Sequence, residues 1–90
     1  MRERDIERHL VERVQQLGGE VRKVQWIGRR GAPDRLVMLP TPSRCTCWVE
    51  LKAPGGKVKP HQAREHERMR AMGQRVVVID GIDGVEELLA

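Results

Sequence analysis

The segment DRLVMLPTPSRCTCWVELK, residues 34–52, decides how the chain folds. Leu36 to Leu39 form a short apolar strand, Pro40-Thr41-Pro42-Ser43 supply a turn, and Cys45 to Lys52 return as a second strand, which makes a β-hairpin. Period-two alternation sends Glu50 and Lys52 to one face of the returning strand and Val49 and Leu51 to the other. A hairpin turned at 40–43 brings the start of one strand beside the end of the other, so Asp34, Glu50 and Lys52 should cluster.

Outward from the hairpin the pattern alternates in type. Residues 3–17 read as an amphipathic helix with Ile6, Leu10, Val11, Val14 and Leu17 on one stripe, stopped by Gly18-Gly19. Residues 20–27 read as a strand, followed by a loop from Gly28 to Pro33. After the break at Ala53-Pro54-Gly55-Gly56, Pro60 suits the first turn of a helix that runs to Met72 and ends at Gly73. Val76 to Ile79 is a β-branched run expected to be buried on both faces, and Asp83 to Leu89 a short helix capped by Asp83. The order α-β-β-β-α-β-α, without internal repeat or linker, predicts an α/β fold: one domain over 1–90, a mixed β-sheet flanked by helices.

Helical periodicity also sorts the acids of the first helix. With Ile6 at zero, the apolar stripe runs from about 0° to 140°, Glu3 falls near 60° and Glu7 near 100°, inside it. Asp5 and Glu12 fall near 240° to 260°, on the water side. Either Glu3 or Glu7, or both, can therefore join the hairpin cluster.

Charge narrows the partner. The net charge is +4, but residues 22–75 hold thirteen Lys or Arg against four acids, and between Val21 and Arg64 the only acids are Asp34 and Glu50. A basic segment of this kind suits a polyanion, nucleic acid first, with a solvated Arg-rich face as the alternative. Nothing approaches the roughly 18 apolar residues of a membrane span, and the Arg- and acid-rich start is unlike a signal peptide, so a soluble cytoplasmic protein is expected, without membrane or small-molecule cofactor. With no Phe or Tyr and two Trp, the core should be thin, and a partner subunit would help stabilise it. Cys45 and Cys47 are two apart, poor spacing for a disulfide or a zinc site, and are read as reduced thiols.

Three carboxylates gathered with one lysine need more positive charge, because an unpaired buried carboxylate is disfavoured by several kcal/mol. A divalent cation supplies it, and carboxylate oxygens suit Mg²⁺ or Mn²⁺. Beside a basic surface, such a site suits phosphodiester hydrolysis, with Lys52 orienting water or stabilising the transition state. The plainer reading makes Asp34 a turn cap and Glu50–Lys52 an edge-strand ion pair. Gln62 shares a helix face with His66, Met69 and Met72, and either bonds backbone or positions water or phosphate. His61 and His66 are candidate bases, although helix histidines more often pack or lie on the surface.

Gly31-Ala32-Pro33-Asp34-Arg35, fifteen intervening residues to Glu50, then Glu50-Leu51-Lys52-Ala53-Pro54-Gly55 and Gln62 resemble the VRR-NUC branch of the PD-(D/E)xK nuclease superfamily. The leading Glu3 to Glu7 and the Gly18-Gly19 stop fit the same pattern, so the resemblance covers nearly the whole chain. It implies a restriction-endonuclease-like core and Mg²⁺- or Mn²⁺-dependent endonucleolytic cleavage of branched or structured DNA. It implies Asp34, Glu50 and the Leu51 carbonyl as metal ligands, Lys52 as the catalytic lysine, Glu7 or Glu3 as the helix acid, and Gln62 as the glutamine that follows. Stand-alone members resemble Holliday-junction resolvases, which implies a homodimer. Arg29, Arg30, Arg35, Lys57 and Lys59 are the expected DNA contacts. The competing readings are a non-catalytic nucleic-acid-binding module, a nuclease subunit working with a phage or replication partner, and an assembly adaptor with an acidic tail.

Overall fold

The computed structural model describes residues 1–40 and 46–90. The expected turn beyond Pro40 and the start of the returning strand at Cys45 lie outside the described residues. The elements are α1 (Glu3–Gln16), β1 (Glu20–Lys23), β2 (Arg35–Met38), β3 (Thr46–Leu51), α2 (Pro60–Ala71), β4 (Val76–Ile79) and α3 (Ile82–Leu89). This is the predicted order, in one four-stranded mixed sheet arranged β1-β2-β3-β4. β1 pairs with β2 and β2 with β3 antiparallel, whereas β3 and β4 run parallel.

Each boundary has a local cause. Pro60 occupies the first turn of α2, where the missing N–H is not needed, and the Gln62 side chain accepts from the Lys59 N–H. At the start of α1, Asp5 does the same for the Arg2 N–H. Arg70 donates through Nε and Nη2 to the Val76 carbonyl, which ties the end of α2 to the strand that follows.

One face of the sheet carries the main core. Ile6, Leu10 and Val14 of α1 and Val85 and Leu89 of α3 pack with Val37, Cys47, Val49, Leu51 and Ile79. Aliphatic side chains and the Cys47 thiol build it, with no aromatic ring. The opposite face, reached by alternate residues of β3 and β4, holds Trp48, Glu50 and Val76, and α2 covers it with His66 and Met69. Cys47 is a buried free thiol, and burial pushes its pKa up, away from reactivity.

Four details differ from the sequence reading. β4 is an edge strand among the described residues and is not buried on both faces, with Val78 38% exposed. β1 stops at Lys23, and Ile27, at the end of the expected strand, is 95% exposed. Gly81, not Asp83, is the N-cap of α3, and Asp83 contributes an acid to its first turn. Leu17 and Met72 fall past the ends of their helices and are exposed, since the face each belongs to ends with the last helical turn.

Because Leu10 is fully buried in a core without aromatics, Leu10→Ala should lower unfolding stability by about 2–5 kcal/mol. Ile27→Ser should leave the urea midpoint unchanged, which serves as the control in the same unfolding experiment.

Candidate active site

The β2–β3 register sets Arg35 opposite Val49. One residue further, past the last paired position of β2, Asp34 comes level with Glu50, and cross-strand neighbours share a face. The Asp34 backbone is itself fixed, because its carbonyl accepts from the Val24 N–H at 2.9 Å. The preceding Pro33 is fully buried, and its carbonyl accepts from the Trp26 indole. β3 is a central strand, so Glu50 is not part of an edge-strand ion pair. Its backbone neighbour beyond Leu51 is also held: the Lys52 N–H donates to the Ile79 carbonyl at 2.9 Å.

Each charged side chain then finds a separate support. Lys52 Nζ donates to Gln62 Oε1 at 3.0 Å, the same oxygen that accepts from the Lys59 N–H. Gln62 therefore bonds backbone, one of its two expected roles, and also holds the lysine, a contact the sequence reading did not foresee. Arg35, 11% exposed, lies between two carboxylates: Nε donates to Glu7, and Nη1 sits 2.9 Å from Asp34 Oδ1. Burial works against its charge, yet Glu7 and Asp34 outweigh that and raise the guanidinium further above its ordinary value.

Glu50 is buried, and burial raises its carboxyl above the usual range. Lys52 opposes that shift, while the charges of Asp34 and Glu3 add to it. The structure therefore separates the two helix acids that the wheel left together: Glu7 is bound to Arg35, and Glu3 contributes to the field at Glu50. His66 of α2 approaches from the other side, its Nε2 3.5 Å from Glu50 Oε1.

The expected DNA contacts divide as well. Arg30, Lys57 and Lys59 are exposed, whereas Arg35 is turned inward. Arg29 is half exposed and reaches Glu65 Oε2 at 3.4 Å. Glu65 is a buried carboxylate that sequence reasoning missed, held also by Arg68 at 2.8 Å. Its signal was its position one turn before Met69 on the inward face of α2. The loop carrying Arg29 and Arg30 lies tight against this helix: a Cβ at Gly31, where φ is +84°, would meet the His61 carbonyl at 2.8 Å.

Among the described residues no three His, Cys, Asp or Glu side chains converge into a complete metal cage. What the site offers is two opposed carboxylates, one of them buried with a raised pKa, and the polar backbone of β3. An all-oxygen donor set of this size fits Mg²⁺ or Mn²⁺, which bind through one or two carboxylates and keep several waters.

The geometry defines a compact acid–lysine site on a mixed sheet, and both the sequence and the fold have relatives among known proteins. No family model matches the chain. A curated protein, "Putative nuclease p44" of Acyrthosiphon pisum secondary endosymbiont phage 1, is 49% identical over 83 residues, covering 92% of this chain and 87% of that protein. A solved structure described as a VRR_NUC domain superposes with a TM-score of 0.84 at 42% identity, covering 97% of this chain and 92% of the other. The chain belongs to the VRR-NUC nuclease family.

The raised pKa of Glu50 has a measurable consequence. An acid raised in the folded state costs stability when ionised, so the penalty is present above the ordinary glutamate range and disappears as pH falls through it. In chelator, Glu50→Gln should therefore unfold at higher urea than the parent near neutral pH. The two midpoints should converge as the pH is brought down to about 4.

Proposed function

We propose that this nuclease is a Mg²⁺- or Mn²⁺-dependent endodeoxyribonuclease that hydrolyses phosphodiester bonds in branched or structured DNA. The observation that carries the reading is the placement of Asp34 level with Glu50 at one end of the β2–β3 pair, with Lys52, just past the end of β3, donating its Nζ to Gln62 of α2. Asp34, Glu50 and the Leu51 carbonyl would hold the ion. When bound, a divalent ion supplies charge for the phosphate oxygens and a more acidic water for attack.

The chain's own residues do the rest. Gln62 keeps the Lys52 ammonium aimed at the site, where it stabilises negative charge developing on the phosphorus oxygens or orients the attacking water. Glu3, at the start of α1, adds acceptor capacity for a water on the Asp34 side. Arg35 acts on DNA indirectly, by keeping Asp34 and Glu7 in place. Arg29, Arg30, Lys57 and Lys59 meet backbone phosphates on either side of the acids. Such contacts make affinity fall with salt.

The proposal extends to a homodimer working in the cytoplasm of a bacterial or phage-infected cell. A core without aromatic rings and the edge position of β4, with Val78 partly exposed, support a second copy. Paired sites would allow opposed strands of a four-way junction to be cut. No described helix is long and apolar enough to cross a membrane.

The test is a cleavage panel of four-way junction, flap, nicked and single-stranded DNA with Mg²⁺ and with Mn²⁺, beside a measurement of native mass. Asp34→Ala should abolish cleavage, and Lys52→Ala should reduce kcat by about 10²- to 10³-fold while DNA affinity holds. Intact substrates in every lane, with Asp34→Ala indistinguishable from the parent, would leave a non-catalytic DNA-binding module as the surviving reading.

A further inference from the structure

His66 is 1% exposed, and its Nε2 is the one buried side-chain nitrogen or oxygen among the described residues without a hydrogen-bond partner. The atom it faces is Glu50 Oε1, 3.5 Å away. A neutral imidazole carries its hydrogen on one ring nitrogen, and with that hydrogen on Nε2 the ring donates to this carboxylate oxygen, which satisfies both buried groups.

The surroundings leave the ring little choice. Glu65 and Met69 are its buried neighbours on α2, and Gly31 presses the preceding loop against the first turn of that helix. The other two site groups each have a support already described: Arg35 for Asp34 and Gln62 for Lys52. Glu50 has one more side-chain torsion than an aspartate and, among the described residues, no ion-pair or hydrogen-bond partner for its side chain other than this imidazole. Without a support, its carboxylate would sample several orientations in a site that requires one.

We propose that His66 is the positioning residue of Glu50: its Nε2–H donates to Glu50 Oε1 and holds that carboxylate in the orientation in which it and Asp34 take up a divalent ion. The inference rests on the metal-dependent reading above and goes beyond it. His66 touches neither DNA nor the reacting phosphorus and acts through Glu50. The geometry resembles the way outer groups orient carboxylates in metal sites, where losing the outer group weakens metal binding about 10- to 100-fold.

Two polar substitutions separate positioning from packing. His66→Gln carries an amide to the place of Nε2, while His66→Asn carries it only to the place of Nδ1, out of reach of Glu50. Calorimetric titration of the whole chain with Mn²⁺, without DNA, should show affinity reduced about 10- to 100-fold in His66→Asn and largely restored in His66→Gln. With junction DNA, kcat at fixed Mn²⁺ should follow the same order while KM for DNA stays level. An Asn variant that folds and binds Mn²⁺ as tightly as the parent would overturn the role of His66 alone. A parent chain that binds no Mn²⁺ would overturn the metal reading and this inference with it. If neither variant folds, ¹⁵N NMR of the parent decides: the His66 Nε2 resonance should move as Mg²⁺ fills the site, and a resonance unmoved at saturation would refute the proposal.

Discussion

The antiparallel pairing of β2 with β3 is the constraint on which the site depends. With Arg35 opposite Val49, the residue before β2 and the acid near the end of β3 must come level. A slip of one residue would turn Glu50 into the aliphatic core and Val49 toward α2. The apolar set Val37, Cys47, Val49 and Leu51 therefore fixes the chemistry by fixing the register, since burying that set leaves Glu50 only the other face. The carboxylate is placed where burial raises its pKa as a by-product of hydrophobic packing.

Around that register lies a division of labour between the two sides of the sheet. α1 reaches the site through Glu7, which holds Arg35, and Arg35 in turn steadies Asp34. α2 reaches it through Gln62 and His66, which attend to Lys52 and Glu50. Of the candidate groups, Glu50 sits on a central strand and Asp34 and Lys52 lie just beyond strand ends; Arg35 of β2 apart, their supports Glu7, Gln62 and His66 come from helices. Helix-borne supports suit a chain of this size, because each also closes a helix end or fills a packed face. Gln62 is the clearest instance, one oxygen accepting both from the N-cap backbone and from the lysine.

The order of elements was legible because hydrophobic periodicity is a local property, and the hairpin cluster was legible because register within a hairpin is nearly local too. Edge position was not. The run Val76 to Ile79 reads alike at the centre or the border of a sheet; among the described residues no fifth strand lies beyond β4, and Val78 is 38% exposed. The helical wheel placed Glu3 and Glu7 on the inward stripe, but a wheel carries no height along the axis, so it could not show which acid would meet Arg35. Arg35 itself looked like one more cation of a basic segment; its inward turn follows from pairing with Val49 on the core side. The pairing of buried Glu65 with half-exposed Arg29 joins segments far apart in sequence, and no local pattern announces it.

The two tryptophans deserve a last consideration. Trp26 belongs to the segment leading into Asp34 and Trp48 to the strand bearing Glu50, and their rings lie 5.2 Å apart at 49°. In a chain with no tyrosine or phenylalanine, they account for all of its aromatic absorption and emission. The distance between the two acid-bearing segments is thus written directly into the intrinsic fluorescence. Any event that draws those segments together or apart can be followed optically on the unlabelled protein.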